Sequence, residues 1–207
     1  VLYNDYCGMN NGLMYAGSTR IYGANAFQAL YDSYLMGVVL SVFMLNGGYV
    51  DYTIRVYAGY STPPRIGSVS PDAIESGRLY YTGYYTIKLS NPPYLSAGEP
   101  FVVVVELRPQ FPSRAYPLGC ESYISGYCSN VIINRGESFV SPDGIVWYDL
   151  YNYYSKDGYG NLSIKAIISF YSSPPSGGGG GGCSAGGSSL GLVFILSLPV
   201  LFVLRRR

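Results

Sequence analysis

The sequence predicts an all-β protein, in which an antiparallel β-sandwich or jelly-roll-like domain is followed by a Gly-rich linker and a short apolar helix at the C-terminus. Apolar and polar residues alternate with a period of two in several stretches between residues 35 and 170, as in half-buried strands. Turn signals recur about every ten residues, without the long amphipathic stretches that a βαβ fold needs. Tyrosine, which is favoured in strands, occurs 24 times in 207 residues.

Six stretches are expected to form strands, in chain order 35–45, 50–56, 84–89, 101–107, 145–147 and 162–170. In the 50–56 stretch, Tyr52, Ile54 and Val56 are expected to face the core, while the residues between them meet water. The 101–107 stretch opens with an unbroken apolar run. It is expected to be a central strand covered on both faces, or one whose outer face is capped by another segment. Residues 24–33 are expected to form a helical turn.

Two features of the composition limit the function. The sequence has no histidine, which excludes Ser-His-Asp and Cys-His nucleophile systems and every metal site with an imidazole ligand. Three of the 13 Lys and Arg residues are Arg205, Arg206 and Arg207, so the rest of the chain holds ten basic residues against 12 acidic ones. No nucleic-acid partner is predicted, because the domain lacks a basic surface.

The C-terminal residues differ in composition from the rest. A Pro-, Gly- and Ser-rich linker over 172–189 precedes an apolar run of 15 residues, which ends in three arginines. Residues 190–207 are expected to enter a membrane, although a helix of that run would rise only about 22 Å against a hydrocarbon core of about 30 Å. The short run also suits a sorting signal that is removed. Arg205 to Arg207 are expected on the cytoplasmic side before any processing, with the β domain outside.

These boundaries divide the chain into four parts. The first residue is Val1 and no signal peptide follows it, so residues 1–20 are expected to lead in from a missing upstream region. Residues 21–171 are expected to form the β domain, 172–189 the linker, and 190–207 the membrane or sorting segment. The protein is expected to be exported and held at the cell surface or membrane.

Two of the four cysteines lie close together within the domain. Cys120 and Cys128 are expected to form a disulfide if the domain is exported, and closing that short loop would stabilise the fold by roughly 2 to 3 kcal/mol. The alternative is a pair of reduced thiols. Their spacing does not match a zinc site, and no metal site is predicted.

Four acidic side chains have the chemistry needed for acid/base catalysis. Glu106, Glu121, Asp143 and Asp149 are candidates for a carboxylate pair of the kind that hydrolyses glycosidic bonds, with a hydrolase centred on Glu106 or Glu121 as the enzymatic alternative. Scattered carboxylates on strands are usually solvated, so a non-catalytic domain is favoured. No cofactor is predicted. The alternative is a structural calcium ion on Asp143, Asp149 or Asp157, although no EF-hand pattern is present.

The aromatic-rich stretch 139–149 is the best candidate for ligand recognition. Trp147 and Tyr148 beside Asp143 and Asp149 would bind a sugar or a peptide, since exposed rings supply contact area and the polar groups fix orientation. The alternative is a turn in which Trp147 is buried as part of the core.

Several motifs, in this order, resemble the lectin-like domain that follows the catalytic domain in a set of bacterial and archaeal papain-family cysteine peptidases. They are YNDYCG at 3–8, NAF at 25–27, YTIKL at 85–89, AGEPFVVV at 97–104, ES at 121–122, GESF at 136–139, DG at 143–144, WYD at 147–149 and NLSIKA at 161–166. The resemblance implies a β-sandwich domain and an upstream peptidase that carries its own Cys, His and Asn. Lectin-like describes a fold and does not establish sugar binding.

The tail from Gly177 to Arg207 resembles the C-terminal sorting tails of Synergistetes-type bacteria, which are Gly-rich, centred on Cys-Ser, apolar over a short run and terminated by Arg. This resemblance implies an exported protein retained at the surface, with Cys183 as the site of processing or lipid attachment. The alternative for Cys183 is an incidental thiol. Together the sequence predicts a non-catalytic, surface-anchored accessory module of a larger cysteine peptidase. The alternative is a stand-alone adhesin or a structural β domain of the cell surface.

Overall fold

The computed structural model describes residues 1–44, 48–111, 116–153 and 158–170, and over these ranges the protein is all-β apart from one helical turn. Every pairing between its strands is antiparallel, as the sequence predicted. The elements are β1 Asn11–Leu13, β2 Ile21–Gln28, β3 Ser33–Val42, β4 Val50–Ala58, β5 Ala73–Leu79, β6 Gly83–Lys88, β7 Tyr94–Leu95, β8 Pro100–Pro109, β9 Leu118–Ser122, β10 Ser138–Ser141, β11 Tyr148–Asp149, α1 Leu150–Tyr153, β12 Tyr159–Leu162 and β13 Ile164–Phe170.

The strands form three sheets around one main core. The larger sheet has six strands in the order β11-β10-β2-β8-β4-β5, and the smaller sheet has the order β13-β3-β6, with β7 also paired to β3. The third sheet, β1-β9-β12, contributes Leu118, Cys120 and Leu162 to the same core. The main core therefore combines the inner faces of the two principal sheets, which is the arrangement of a β-sandwich.

Strand β8 lies at the centre of the larger sheet, between β2 and β4. Its apolar run is completely buried, and alternate residues face opposite sides: Val103 and Val105 join the main core, while Val102 and Val104 join a second cluster on the outer face. Ile66, Val69 and Trp147 pack over that second cluster. This confirms the prediction of a central strand whose outer face is capped by other segments.

Strand β4 follows the predicted pattern closely. Ile54 and Val56 are completely buried in the main core and Tyr52 packs against it half-buried. Two other predictions were wrong. Residues 24–33 form no helical turn, because 21–28 form β2 and are buried on both faces, so this stretch lacks the polar alternation of a half-exposed strand. Residues 145–147 form no strand, because the preceding turn bends the chain until β11 begins at Tyr148.

A buried amide connects β2 of the larger sheet to the junction between β12 and β13. The Nδ2 atom of Asn25, which is completely buried, donates to the carbonyl oxygens of Leu162 and Ile164, both at 2.9 Å. Two N–H groups thus satisfy two carbonyls that face the interior where one strand ends and the next begins. A buried polar side chain is stable here because its hydrogen bonds are made.

Residues 1–20, predicted to lead into the domain, are part of it. Strand β1 pairs with β9, Leu2 forms an antiparallel bridge with Ala166, and the buried Asp5 carboxylate accepts hydrogen bonds from Lys165 Nζ at 2.8 and 3.0 Å. These long-range contacts hold the segment against the sandwich at several points.

The disulfide joins Cys7 to Cys128, and not Cys120 to Cys128 as the sequence spacing suggested. Cys120 lies on β9 with its thiol in the main core, and burial, followed by the charge of Glu121, raises the pKa of this thiol to about 12. The thiol is therefore inert at neutral pH. Cys128 lies in the loop after β9, where the N-terminal segment supplies its partner.

Several predictions concern residues outside the described ranges. These are the linker 172–189, the apolar segment 190–207 with Arg205 to Arg207, Cys183 and Asp157. Among the residues that the structure describes, no helix has the length and apolar character needed to cross a lipid bilayer.

Candidate functional site

The loop between β10 and β11 contains the four residues that the sequence singled out for ligand binding. Asp143 holds this loop in a turn: its Oδ1 accepts hydrogen bonds from the backbone N–H groups of Ile145 at 2.8 Å and Val146 at 3.0 Å, and from Ser141 Oγ at 3.0 Å. These backbone hydrogen bonds lower the pKa of the Asp143 carboxyl, although burial opposes them slightly. The Oδ1 atom of Asp143 is therefore engaged in hydrogen bonds within the loop.

The sequence left open whether Trp147 is an exposed ligand-binding residue or a buried core residue, and the structure places its burial between the two. Its ring is half-buried in the second apolar cluster, edge-on to Tyr22 with 6.4 Å between ring centroids, and its Nε1 donates to the carbonyl oxygen of Pro64 at 3.0 Å. The indole N–H is therefore used to join the 143–147 loop to the loop after β4. Part of the ring remains accessible at the outer face of the larger sheet.

Tyr148 and Asp149 make contacts that stabilise the domain itself. Tyr148 is half-buried and packs against the main core. Asp149 Oδ1 accepts from the backbone N–H of Tyr151, in the first turn of α1, and Oδ2 accepts from that of Gly136 at 2.9 Å. The four predicted residues share one segment, but their polar groups are directed at different parts of the domain.

Glu121, one of the proposed catalytic carboxylates, anchors the N-terminal segment. It is completely buried on β9, and Oε2 accepts from the backbone N–H groups of Tyr6 at 2.9 Å and Cys7 at 3.0 Å. Oε1 accepts from the N–H of Asn161 at 3.1 Å. A carboxylate engaged by three backbone donors is a structural group and has no access to a substrate.

Within the described residues, one group of three side chains has the chemistry to hold a metal ion, namely Cys7, Glu121 and Cys128. The two sulfur atoms are bonded to each other, and metal binding by cysteine needs the thiolate. With the disulfide closed this group therefore offers no sulfur ligand, and the remaining oxygens of Glu121 already accept hydrogen bonds.

Glu106 is the centre of an arginine cluster on the outer face of the larger sheet. Its side chain is 3% exposed and it lies within 2.5 Å of Arg108 Nη2, 3.2 Å of Arg55 Nη2 and 3.5 Å of Arg20 Nη1. Burial by itself would raise the pKa of the Glu106 carboxyl, but the hydrogen bonds and charges of Arg108 and Arg55 outweigh it and hold the pKa below its ordinary value. Three guanidinium groups on one carboxylate leave an excess of positive charge at this face.

Next to this cluster lies a cleft that sequence reasoning missed. It has a volume of about 440 Å³ and lies between β4, the start of β5 and the loop 66–71, with Arg55 and Tyr57 in its wall. Arg55 was expected only to face water. One feature of the sequence could have indicated this region, namely two charged residues within apolar strands. Glu106 follows the apolar run of β8, and Arg55 lies between the buried Ile54 and Val56 of β4. The loop 66–71 completes the cleft, and no pattern in the sequence indicates that it folds next to Arg55.

Antiparallel sheets packed around one main core, with buried carboxylates that accept hydrogen bonds within the domain and a cleft on one sheet face, define a β-sandwich domain. Residues 1–168 match the family described as the lectin like domain, and the chain belongs to this family. The family expectation drawn from the ordered motifs is thereby confirmed. Residues 1–168 therefore constitute a lectin-like domain.

Solved structures with the same fold come from a clostridial surface protein. One contains the cysteine protease and lectin-like domains of Cwp84, a surface layer associated protein of Clostridium difficile; it has a TM-score of 0.56 and 21% identity, and the match covers 74% of this chain and 33% of that one. Another is the clostridial cysteine protease Cwp84 after propeptide cleavage, with a TM-score of 0.51 and 22% identity, covering 74% and 37%.

The chain spans about a third of the length of these structures. At such identities the likeness establishes a shared fold. No curated protein matches the sequence.

Proposed function

We propose that this chain is the non-catalytic, surface-anchored module of a larger exported papain-like cysteine peptidase, in which it binds substrate or a surface ligand such as a glycan or a peptide. The observation that carries the proposal is the lectin-like domain over residues 1–168. In Cwp84 a domain of this fold shares a chain with a cysteine protease domain. The missing histidine agrees with a role in binding and not in peptide hydrolysis.

Export is supported by the disulfide and by the tail. A bridge between Cys7 and Cys128 persists in oxidising compartments, such as the cell exterior, and is rare in the cytosol. The Gly-rich linker and the apolar, Arg-terminated segment 190–207 have the composition of a tether to a membrane. The domain would then be held outside while the arginines remain on the cytoplasmic side.

The peptidase assignment is tested by the coding sequence upstream of Val1 in the same reading frame. A papain-like catalytic domain there supports the proposal. Tandem β domains with no peptidase would contradict it and favour the adhesin or structural alternative.

The anchor is tested separately by expressing the full chain and a chain truncated after Ser172, each behind the same export signal. We expect the full chain in the membrane or surface fraction and the truncated chain in the medium. Metabolic labelling with a lipid probe, in the wild type and in Cys183→Ala, examines lipid attachment. Equal release of both chains would refute anchoring by the tail, and unchanged label in the variant would refute modification of Cys183.

A further inference from the structure

The cleft beside the arginine cluster contains two donors that the fold leaves unused. Tyr57 is 1% exposed, and its hydroxyl has no hydrogen-bond partner within the described part of the chain. The same holds for Nη1 of Arg55, whose side chain is 17% exposed and whose Nη2 donates to Glu106 Oε2 at 3.2 Å. A buried polar group without a partner destabilises the fold, and native proteins contain few of them.

Both residues, Arg55 and Tyr57, line the same cleft, with their unpartnered donor atoms buried at its wall. Its volume of about 440 Å³ falls within the range of roughly 300 to 1,000 Å³ typical of small-molecule sites. Burial raises the pKa of the Tyr57 phenol; Arg55 opposes the rise and Tyr60 adds to it. The phenol therefore remains protonated near neutral pH and can donate its hydrogen into the cleft.

The charge at this position favours an anion. Glu106 is already neutralised by Arg108 and Arg20, so the guanidinium of Arg55 adds positive charge that no second carboxylate balances within this cluster. The net charge of this cluster is positive, which is opposite to the rest of the domain, where acidic residues outnumber basic ones. A localised positive field with two free donors matches a carboxylate, which accepts hydrogen bonds at two oxygens.

The rim of the cleft indicates which kind of carboxylate fits. Ser68 and Ser70 are exposed there, and Ser68 Oγ donates to the carbonyl oxygen of Arg65, which leaves its lone pairs available to accept. A sugar acid carries one carboxylate surrounded by hydroxyl groups. This pattern matches a charged floor with a hydroxyl-bearing rim, and the apolar side chains of Ile66, Val69 and Ile74, which also line the cleft, can pack against the ring carbons of the sugar.

We propose that the cleft binds the carboxylate of an acidic saccharide, with Arg55 Nη1 and the Tyr57 hydroxyl as its hydrogen-bond donors. This deepens the binding role proposed above by naming its site and ligand class, and rests on that role. The loop 66–71 forms the outer wall of the site. The half-buried ring of Trp147 lies on the same sheet face, since it packs in one cluster with Ile66 and Tyr57.

The test is titration calorimetry of the full 207-residue chain with oligosaccharides of glucuronic and galacturonic acid, and with the matched neutral oligosaccharides of glucose and galactose. We expect the acidic sugars to bind at least tenfold more tightly than the neutral ones. Tyr57→Phe removes only the hydroxyl, and losing a hydrogen bond to a charged acceptor should weaken binding by about tenfold to a hundredfold. Arg55→Lys keeps the charge beside Glu106 but loses the planar fork, and should weaken binding similarly.

The matched control is Arg78→Lys, since Arg78 lies on the adjacent strand β5, is paired with Asp51, and is not part of the cleft. This variant should bind as the wild type does. Tyr57→Phe should melt at or above the wild-type temperature, because it removes a polar group without a partner. This readout separates a ligand-binding hydroxyl from one that stabilises the fold.

Equal affinity for acidic and neutral sugars, or undiminished binding by Tyr57→Phe, would overturn the proposal. Tighter binding of peptides with a free terminal carboxylate than of the sugar acids would overturn the saccharide assignment. If the chain retains cells or cell-wall material while Tyr57→Phe has no effect, the cleft is wrong and the binding role stands. The peptidase assignment depends on the upstream sequence alone, so its failure is recognised independently.

Discussion

Removing the Cys7–Cys128 bridge should cost the domain much of its stability. The two residues are separated by 121 positions, and for a loop of that length the loop-entropy model gives about 5 kcal/mol. A bridge between Cys120 and Cys128 would close a far shorter loop and contribute roughly 2 to 3 kcal/mol. Because small domains are stable by only about 5 to 15 kcal/mol, the double variant Cys7→Ala and Cys128→Ala should be close to the unfolding threshold.

The measurement is urea unfolding of the wild type, of this double variant and of Cys120→Ala, each with and without a reductant. We expect the reductant to destabilise the wild type and Cys120→Ala by about 5 kcal/mol and to leave the double variant unchanged. Cys120→Ala is the matched control, since it removes a buried sulfur that takes no part in the bridge. Peptide mapping without reduction should recover Cys7 linked to Cys128, with Cys120 alkylated only after unfolding.

Two results would refute this reasoning. A cross-linked peptide containing Cys120 would show that the short-range pairing is the real one. A double variant as stable as the oxidised wild type would show that the bridge closes no costly loop.

Three further substitutions test other parts of the structure. Glu106→Gln keeps the shape of the side chain but loses its charge-assisted hydrogen bonds to arginine, and should lower the free energy of unfolding by about 2 to 3 kcal/mol near pH 7. Because the folded pKa of Glu106 is lowered, this difference between wild type and variant should shrink as the pH falls from about 4.3 through that folded pKa. A constant difference in chemical denaturation across this pH range would contradict the assignment. Asn25→Ala leaves two buried carbonyls without donors and should lower the free energy of unfolding by about 2 to 4 kcal/mol in the same measurement. A loss under about 1 kcal/mol would contradict the role of this amide. Asp143→Ala should speed hydrogen exchange at the amides of Ile145 and Val146 without changing exchange in β8, and unchanged protection of both amides would show that the carboxylate does not hold the turn.

Strands with a clear local pattern of apolar residues could be predicted from the sequence, and a strand without such a pattern could not. Strand β4 alternates between core and solvent, so a period of two located it. The apolar run of β8 required cover on both sides, and this correctly indicated a central strand. Strand β2 is also buried on both faces, but Gly23, Ala24, Asn25 and Ala26 occupy its middle, so neither a polar alternation nor an unbroken apolar run marks it in the sequence.

The disulfide and the cleft depend on contacts between distant parts of the chain. Proximity in sequence favoured Cys120 as the partner of Cys128, but Cys120 is directed into the core by the pleat of β9, and the N-terminal segment supplies Cys7. In the same way Arg55 reads as a solvent-facing residue of a half-buried strand. It becomes part of a site because the loop 66–71 folds over the same sheet face, and no local pattern specifies that fold.

The pairing of Leu2 with Ala166 has a mechanical consequence. The two residues exchange backbone hydrogen bonds at 2.8 and 2.9 Å in antiparallel orientation, so the polypeptide arrives and departs side by side at one edge of the domain. Tension between these two ends would break the hydrogen bonds one after another, as in unzipping, and would not load them together in shear. On the N-terminal side the peeling would stop at Cys7, where the covalent link to Cys128 transfers the load into the body of the domain. Among the described residues, no disulfide protects β13 in this way, so under load the sandwich would open first at its last strand.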